Sequence, residues 1–483
     1  MSLAPWVLWR RSAKRSPTVV GGLSVFLVPN ANRSKFEYLT FDTIGIDERN
    51  RLMATWEDAF WESSVDSGVP RHEQRSGIYQ RYVPDLIDGM ALAVDGGVSR
   101  QVTPIERSIR LLNGPGAEGL AGIARFLLRS EAIASSRIEG ISPSAQQVAL
   151  AELGLTETIR GISEQAKLVA NNMTVVRSAT TELVEAETLT VENIVDLHRS
   201  LIPDEPHHHG LRAVQNWIGA SRWTPIGATF VPPAPERVPG YMADLVDYMN
   251  GSAHAPLIQA AVVHAQFETI HPFTDGNGRV GRALIHTVLA RRGLTERAVL
   301  PVSLVLATLR DRYVEGLTEY RHASAAGSAG ASRSMNAWTA TFIEAAEIAA
   351  TQSEALMDAI HTLRAEWTDR LTAHRSASGV RPTPRADSTV SRLLGQLPEA
   401  PVLTATTLAK ILQVSFPSAS AALDELRQAG ILTTRSIERG ATAYVAREVL
   451  DIITMSERAL ASTQFDTRVS APNRSVPARP THG

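Results

Sequence analysis

From Ala255 to Ile270 the chain is almost unbroken apolar sequence, sixteen residues long. That is too long for a strand and right for a helix buried on all sides. Upstream, Ile105 to Val148 reads as helical, with Ile123, Leu127, Ala134 and Ile138 on one face. Thr190 to Leu201 reads as another helix, with Thr190 as N-cap and Ile194, Leu197 (or His198) and Leu201 forming its apolar stripe. Helical spacing resumes over Asn277 to Arg291 and again from Ser334 to about Ala373. Between these, Trp217 to Pro235 is rich in turn residues and β-formers, which predicts a short hairpin ending in an extended Pro stretch. The fold class expected is therefore mainly α.

Residues 372–387 carry Pro, Gly, Ser and Arg without periodicity and predict a linker. Beyond it, Ser388 to Leu397, Thr406 to Leu412 and Ser415 to Ala429 predict three short helices, followed by a two-stranded wing around Gly440. This order resembles a winged-helix domain, expected over 388–455, with the helix from Ser415 as its recognition helix. Residues 463–483 predict a disordered tail. Residues 1–52 form an extension with no firm reading. Arg10, Arg11, Lys14 and Arg15 precede an apolar run there and loosely imitate a signal peptide. The acidic stretch Met53 to Phe60 predicts helix and marks an alternative start.

Hydrophobic residues are 44% and charged residues 20% of the 483, enough for an ordinary core. A formal net charge of −2 gives the whole chain no electrostatic reason to bind nucleic acid or membrane. The chain has no cysteine, which excludes disulfides, thiolate chemistry and cysteine-ligated zinc. With no apolar run of spanning length, no membrane span and a cytoplasmic location are expected. Lysine occurs only four times, so phosphate recognition falls to Arg, whose planar fork suits it.

The candidate chemistry lies in His271-Pro-Phe273-Thr-Asp275-Gly276-Asn277-Gly278-Arg279-Val280-Gly281-Arg282, between two predicted helices. Gly276, Asn277 and Gly278 permit backbone angles at which successive N–H groups converge at a helix N-terminus, an anion site. Arg279 and Arg282 share a helix face and can both reach one polyphosphate. Asp275 is a hard oxygen ligand suited to Mg²⁺. His271 titrates near neutrality and can accept a proton from a hydroxyl. Base, metal ligand, anion cradle and charge clamps together describe phosphoryl or nucleotidyl transfer.

These residues resemble the Fic (filamentation induced by cAMP) motif at every defining position. The resemblance implies a Fic-type helical bundle with a β-hairpin flap, a catalytic core over 161–371, and transfer of AMP from ATP to a Ser, Thr or Tyr hydroxyl. The acceptor would be a target protein or the chain itself. It implies His271 as the base, Asp275 as holder of Mg²⁺, and Gly276 to Arg282 as the nucleotide cradle, with Phe273 fixing the loop. Gly278, where phosphotransferase relatives carry Lys, favours AMP transfer. Trp223 to Pro233 resembles the family's flap, with Val231 as a contact for nucleotide or target. Tyr313 stands where relatives place an aromatic near adenine, and a core tyrosine is the competing reading.

Ser135-Ser-Arg-Ile-Glu139-Gly140 resembles the family's inhibitory signature, here ahead of the core in a region (53–160) expected to be helical. Glu139 would pair with Arg282 and take it from the γ-phosphate, with Ser135 supporting it. Gly210, Arg212, Gln215 and Trp217 match a family segment before the flap and read as structural. His207, His208 and His209 cannot all face one ion from a regular element, so they read as a solvated loop. His264 reads as a core histidine.

Two other functions remain open on sequence. A winged-helix DNA-binding regulator could use the Fic core to sense nucleotide; Asp424, Glu425 and Glu438 offset Arg427, Arg435 and Arg439, so DNA and protein contact stand even. Transfer of another phosphate-linked group is the third. A homodimer is compatible with all of them.

Overall fold

The computed structural model describes residues 54–63, 69–89, 94–112, 123–219, 221–251, 253–295, 299–325, 327–438 and 441–464. The expectations for residues 1–52, for Arg439 and Gly440 of the wing, and for the tail from 465 lie outside these.

A helical hairpin forms the centre. The N-terminal part has β1 (Thr55–Trp61), β2 (Gly77–Val83), α1 (Gly96–Leu112), α2 (Ala124–Ile138), α3 (Ala145–Gly154) and α4 (Glu164–Thr180). Then come α5 (Val191–Leu201), α6 (Val238–Asn250), α7 (Pro256–Ile270) and α8 (Asn277–Arg291). Every residue of α7 is buried, which is why its sequence lacks a polar face. Pro256 opens it at the first helical position, where a missing N–H costs nothing. His271 closes it with a left-handed φ of 50°, its N–H donating to Phe267 O at 2.8 Å. Gly276, φ 78°, turns the chain into α8, which packs back along α7. Helices α2, α4 and α5 cover the other side of α8, and α6 lies against α7. Thr190 caps α5 in a reciprocal capping box with Asn193.

After α9 (Val302–Thr308) and α10 (Arg310–Tyr320) comes α11, 49 residues from Ala329 to Ala377. Its buried residues keep one stripe at spacings of three and four. Trp338, Phe342 and Ala346 face α7 and its neighbours, while Leu356, Ile360, Leu363 and Trp367 continue the seam toward the C-terminal elements. One helix thus joins the central bundle to the C-terminal elements through one continuous core. The expected linker from 372 begins later, because Leu371 is still buried and α11 runs on to Ala377.

The C-terminal part has α12 (Thr389–Gln396), β3 (Val402–Leu403), α13 (Ala405–Leu412), α14 (Phe416–Gln428), β4 (Thr433–Glu438), β5 (Ala441–Val445) and α15 (Arg447–Gln464). The strands form one antiparallel sheet in the order β3-β5-β4. Ser388, Thr404 and Ser415 each cap the helix that follows by accepting from an N3 amide. Helix α15, which carries the chain past the expected boundary at 455, is tied to α11: Trp367 Nε1 donates to Glu448 Oε2 at 2.8 Å, and Arg370 pairs with Glu448 at 2.8 Å.

Two N-terminal and flap expectations change. Thr55–Trp61 is a strand, not a helix: Glu57, Ala59 and Trp61 alternate toward the protein while Asp58 and Phe60 face out, and β2 supplies the backbone partners. Region 53–160 therefore begins with a β-hairpin. The helical pattern over Ile105 to Val148 is carried by three separate elements, α1, α2 and α3. The flap hairpin reduces to one antiparallel bridge, Ile218 with Phe230, because Pro225, Pro232 and Pro233 deny it donors for a longer ladder.

Candidate active site

The loop between α7 and α8 is fixed from behind by backbone-directed hydrogen bonds. Asn277 exchanges two with Phe273, its Oδ1 accepting from Phe273 N and its Nδ2 donating to Phe273 O, both at 2.8 Å. Phe273 is fully buried, and the His198 ring stacks on it at 3.8 Å. Burial lowers the His198 imidazole to about 4, so it is neutral and its Nε2–H donates to Asp275 O at 3.0 Å. Arg212 spreads its guanidinium over four carbonyls: His271 (2.9 Å), Pro233 (2.6 Å), Ile270 (3.3 Å) and Val214 (3.1 Å). Asn216 adds a bond to Phe273 O at 2.9 Å. Loop and flap base are thereby locked together.

His271 stands at this corner in a strained left-handed conformation, a cost of roughly 1 kcal/mol or more that such fixing sustains. Burial lowers its imidazole to about 4, and Arg321 and Arg212 push it the same way. It is an unprotonated base at neutral pH. Glu268, one turn back, has its Oε2 3.9 Å from His271 Nδ1, and burial raises its carboxyl to about 7.

Across the start of α8 lies Glu139, the residue that ends α2, with Gly140 at φ 80° turning the chain away. Arg282, 1% exposed, donates from Nη2 to Glu139 Oε1 at 2.8 Å and to Ser135 O at 2.8 Å, and from Nε to Ser135 Oγ at 2.9 Å. Burial alone would raise Glu139, but Arg282 and Arg279 hold its carboxyl below the ordinary value. A Cβ placed on Gly278 would fall 2.0 Å from Glu139 Oε1, so only glycine leaves room for that carboxylate over the helix start. Arg279 is in the opposite condition. It is 3% exposed, its Nε and Nη1 have no hydrogen-bond partner, and its nearest acid is Asp275 at 3.6 Å. A buried guanidinium with two idle donors fits an absent polyanion. The Asp275 side chain is 61% exposed and available to a cation.

The sequence motif therefore converges: His271, Asp275, Gly278, Arg279, Arg282 and Glu139 surround one helix start. Val280 is buried in the core, and Gly281 meets α7 where a Cβ would lie 2.9 Å from Phe267 and Glu268. Two expected contacts fall elsewhere. Tyr313 is a core tyrosine, 4% exposed, stacked on His264 and bonded to its Nε2 at 2.8 Å, so no ring face is left for adenine. Val231 is 3% exposed and its carbonyl accepts from Tyr82 N at 2.8 Å, joining flap to β2. His264 is the core histidine expected. Sequence reading missed Asn216, Glu268 and Arg321. Arg321 lies 3.5 Å over the Phe230 ring of the flap and bears on His271, but its position after Tyr320 carries no motif signal.

A profile described as Fic/DOC family matches residues 188–289. The fic-1 protein adenylyltransferase of Caenorhabditis briggsae is 29% identical over 192 residues, covering 38% of this chain and 36% of that protein. The Caenorhabditis elegans protein of the same name is 30% identical over 142 residues, 28% of this chain and 26% of it. A probable protein adenylyltransferase of Aquifex aeolicus (strain VF5) is 35% identical over 94 residues, 19% of this chain and 27% of it. The matches thus span about a third or less of these relatives. A crystal structure of a Fic family protein from Desulfovibrio desulfuricans G20 aligns at 18% identity and TM-score 0.46, over 73% of this chain and 97% of that one. The matched Fic segment runs from before α5 to near the end of α8, so it contains the whole loop and both clamp arginines, while Ser135 and Glu139 lie outside it.

Proposed function

We propose that the chain is a protein adenylyltransferase held off by Glu139. The reading rests on one observation: a buried arginine, Arg279, with idle donors stands beside a helix start whose second arginine is taken by an internal carboxylate. ATP is the substrate, and the acceptor is a Ser, Thr or Tyr hydroxyl on another protein or on the chain itself.

In this reading the triphosphate meets the amides from Gly276 to Gly278 and the Arg279 guanidinium, with Arg282 joining once Glu139 leaves. Asp275, exposed and next to the cradle, would hold Mg²⁺, which neutralises phosphate charge when bound. His271 takes the proton of the acceptor hydroxyl. The acceptor oxygen forms a bond to the α-phosphorus, the bond from that phosphorus to the bridging oxygen breaks, and pyrophosphate leaves. Arg212 and Asn216 hold the His271 and Phe273 carbonyls so that the imidazole stays at this corner.

The C-terminal unit we read as a winged helix. The one cation of its helix α14, Arg427, pairs with Asp424, and Glu425 of the same helix pairs with Arg375 of α11. This favours protein contact over DNA.

Incubation with ATP labelled at the α- or the γ-phosphate, followed by intact mass, tests the proposal. Label from the α position only, lost in His271→Ala, supports it. Label from the γ position would indicate phosphoryl transfer, and DNA retardation without an adduct would indicate a regulator.

A further inference from the structure

We propose that Glu205, His207 and His208 form a binding site for a divalent transition-metal ion, with zinc as its type. The inference stands on geometry and is independent of the activity proposed above. Sequence alone reads three consecutive histidines as a solvated loop, because they cannot all face one point. The structure resolves that objection by sorting them. In the 3-10 turn Pro206–His208 the rings of His207 and His208 lie 4.1 Å apart, and Glu205 joins them. The possible ligand atoms of these three residues lie within 4.8 Å of one another. His209 is turned away, and its Nε2–H donates to Ile202 O at 2.9 Å.

The spacing suits a small ion. Ligand atoms at ~2.0–2.1 Å from a tetrahedral centre stand about 3.3 Å apart. His208 Nε2 and Glu205 Oε2 are 3.5 Å apart, close to that figure. His207 is exposed, so its imidazole can close the remaining gap by side-chain rotation without moving the backbone. Two imidazoles and a carboxylate, with water in the fourth position, are a donor set for zinc rather than for magnesium or calcium, which take oxygen ligands.

A second feature points the same way. His208 Nδ1 is 2.7 Å from Thr274 Oγ1. A ligating histidine commonly donates its other ring N–H to an oxygen, which fixes the tautomer and turns the free nitrogen to the metal. Here that oxygen belongs to Thr274, the neighbour of Asp275. An ion at the turn would therefore brace the loop that holds the candidate active site.

The test is zinc titration of the metal-free full-length protein by calorimetry, with thermal melting alongside. The site predicts saturable binding of about one ion per chain. Glu205→Ala, His207→Ala and His208→Ala should each weaken it at least about tenfold, and Thr274→Val roughly tenfold through loss of the ring hydrogen bond. His209→Gln should bind as wild type does. Metal-free melting temperatures equal to wild type show that each variant folds. X-ray absorption of the zinc-loaded protein should show a nitrogen and oxygen shell. No saturable binding would overturn the proposal. So would equal losses in His207→Ala and His209→Gln, the mark of an unstructured histidine run.

Discussion

Nδ1 of His271 and Oε2 of Glu268 lie 3.9 Å apart, one turn from each other at the end of α7. Both groups are displaced by burial, in opposite directions: the imidazole down to about 4 and the carboxyl up to about 7. A base must be unprotonated to work, and a lowered value means that it stays so into acid. In a Glu139→Gly background, AMP incorporation should therefore hold on its plateau as pH falls through 6.5 and drop only toward about 4, because Arg321 and Arg212 still face the ring and Glu139, which raised it, is gone. A rate profile with its acid midpoint at the ordinary histidine value would show that His271 is more solvated than this geometry allows.

Removing the carboxylate over the helix start frees both Arg282 and the space at Gly278. Glu139→Gly should raise AMP incorporation by roughly tenfold or more, the worth of one charge-assisted hydrogen bond. Ser135→Ala removes only the acceptor for Arg282 Nε and should raise it less. Equal rates in wild type and Glu139→Gly, measured by α-label incorporation, would separate the Glu139–Arg282 pair from inhibition.

Arg212→Lys tests whether the loop is held from behind. Lysine cannot reach His271, Pro233, Ile270 and Val214 carbonyls at once. A shift of about 1 Å in the base costs roughly a hundredfold in rate. The expected outcome is a fall in kcat of that order with KM for ATP little changed, read in the Glu139→Gly background.

Helix α2 is anchored by a group that plays no part in the site. Glu131, fully buried, accepts from Ser303 N at 2.9 Å and meets His286 Nε2 at 2.9 Å, two turns along α2 from Glu139. Glu131→Ala should destabilise the protein by about 3 kcal/mol or more, the usual result of leaving a buried pair without one partner. Denaturant unfolding checks this. The same variant should not mimic Glu139→Gly in activity, because its contacts are to α8 and α9, away from the cradle.

Much of the site was legible because its residues are consecutive. His271 to Arg282 is one loop and the first two turns of helix, and each side chain sits where the sequence puts it. Helix α7 was legible for a related reason: burial on all sides leaves an unbroken apolar run. What could not be read depends on distant partners. Arg212 carries no local sign that its guanidinium binds the His271 carbonyl, 59 positions away. Strand β1 reads as helical because its seven residues, five of them acidic or aromatic, fit either period, and only pairing with β2 decides between them. Tyr313 went astray in the other direction: the chain position was informative, but the ring turns into the core against His264 and Trp338.

If the start of α8 is a triphosphate cradle that Glu139 obstructs, removing Glu139 should let ATP settle there. A crystal structure of the Glu139→Gly protein with ATP and magnesium tests it most directly. The phosphates should lie over Gly276 to Gly278, with Arg279 and Arg282 both on phosphate oxygens and the His271 ring facing the α-phosphorus. Density for the nucleotide elsewhere, with Arg279 still lacking partners, would contradict it.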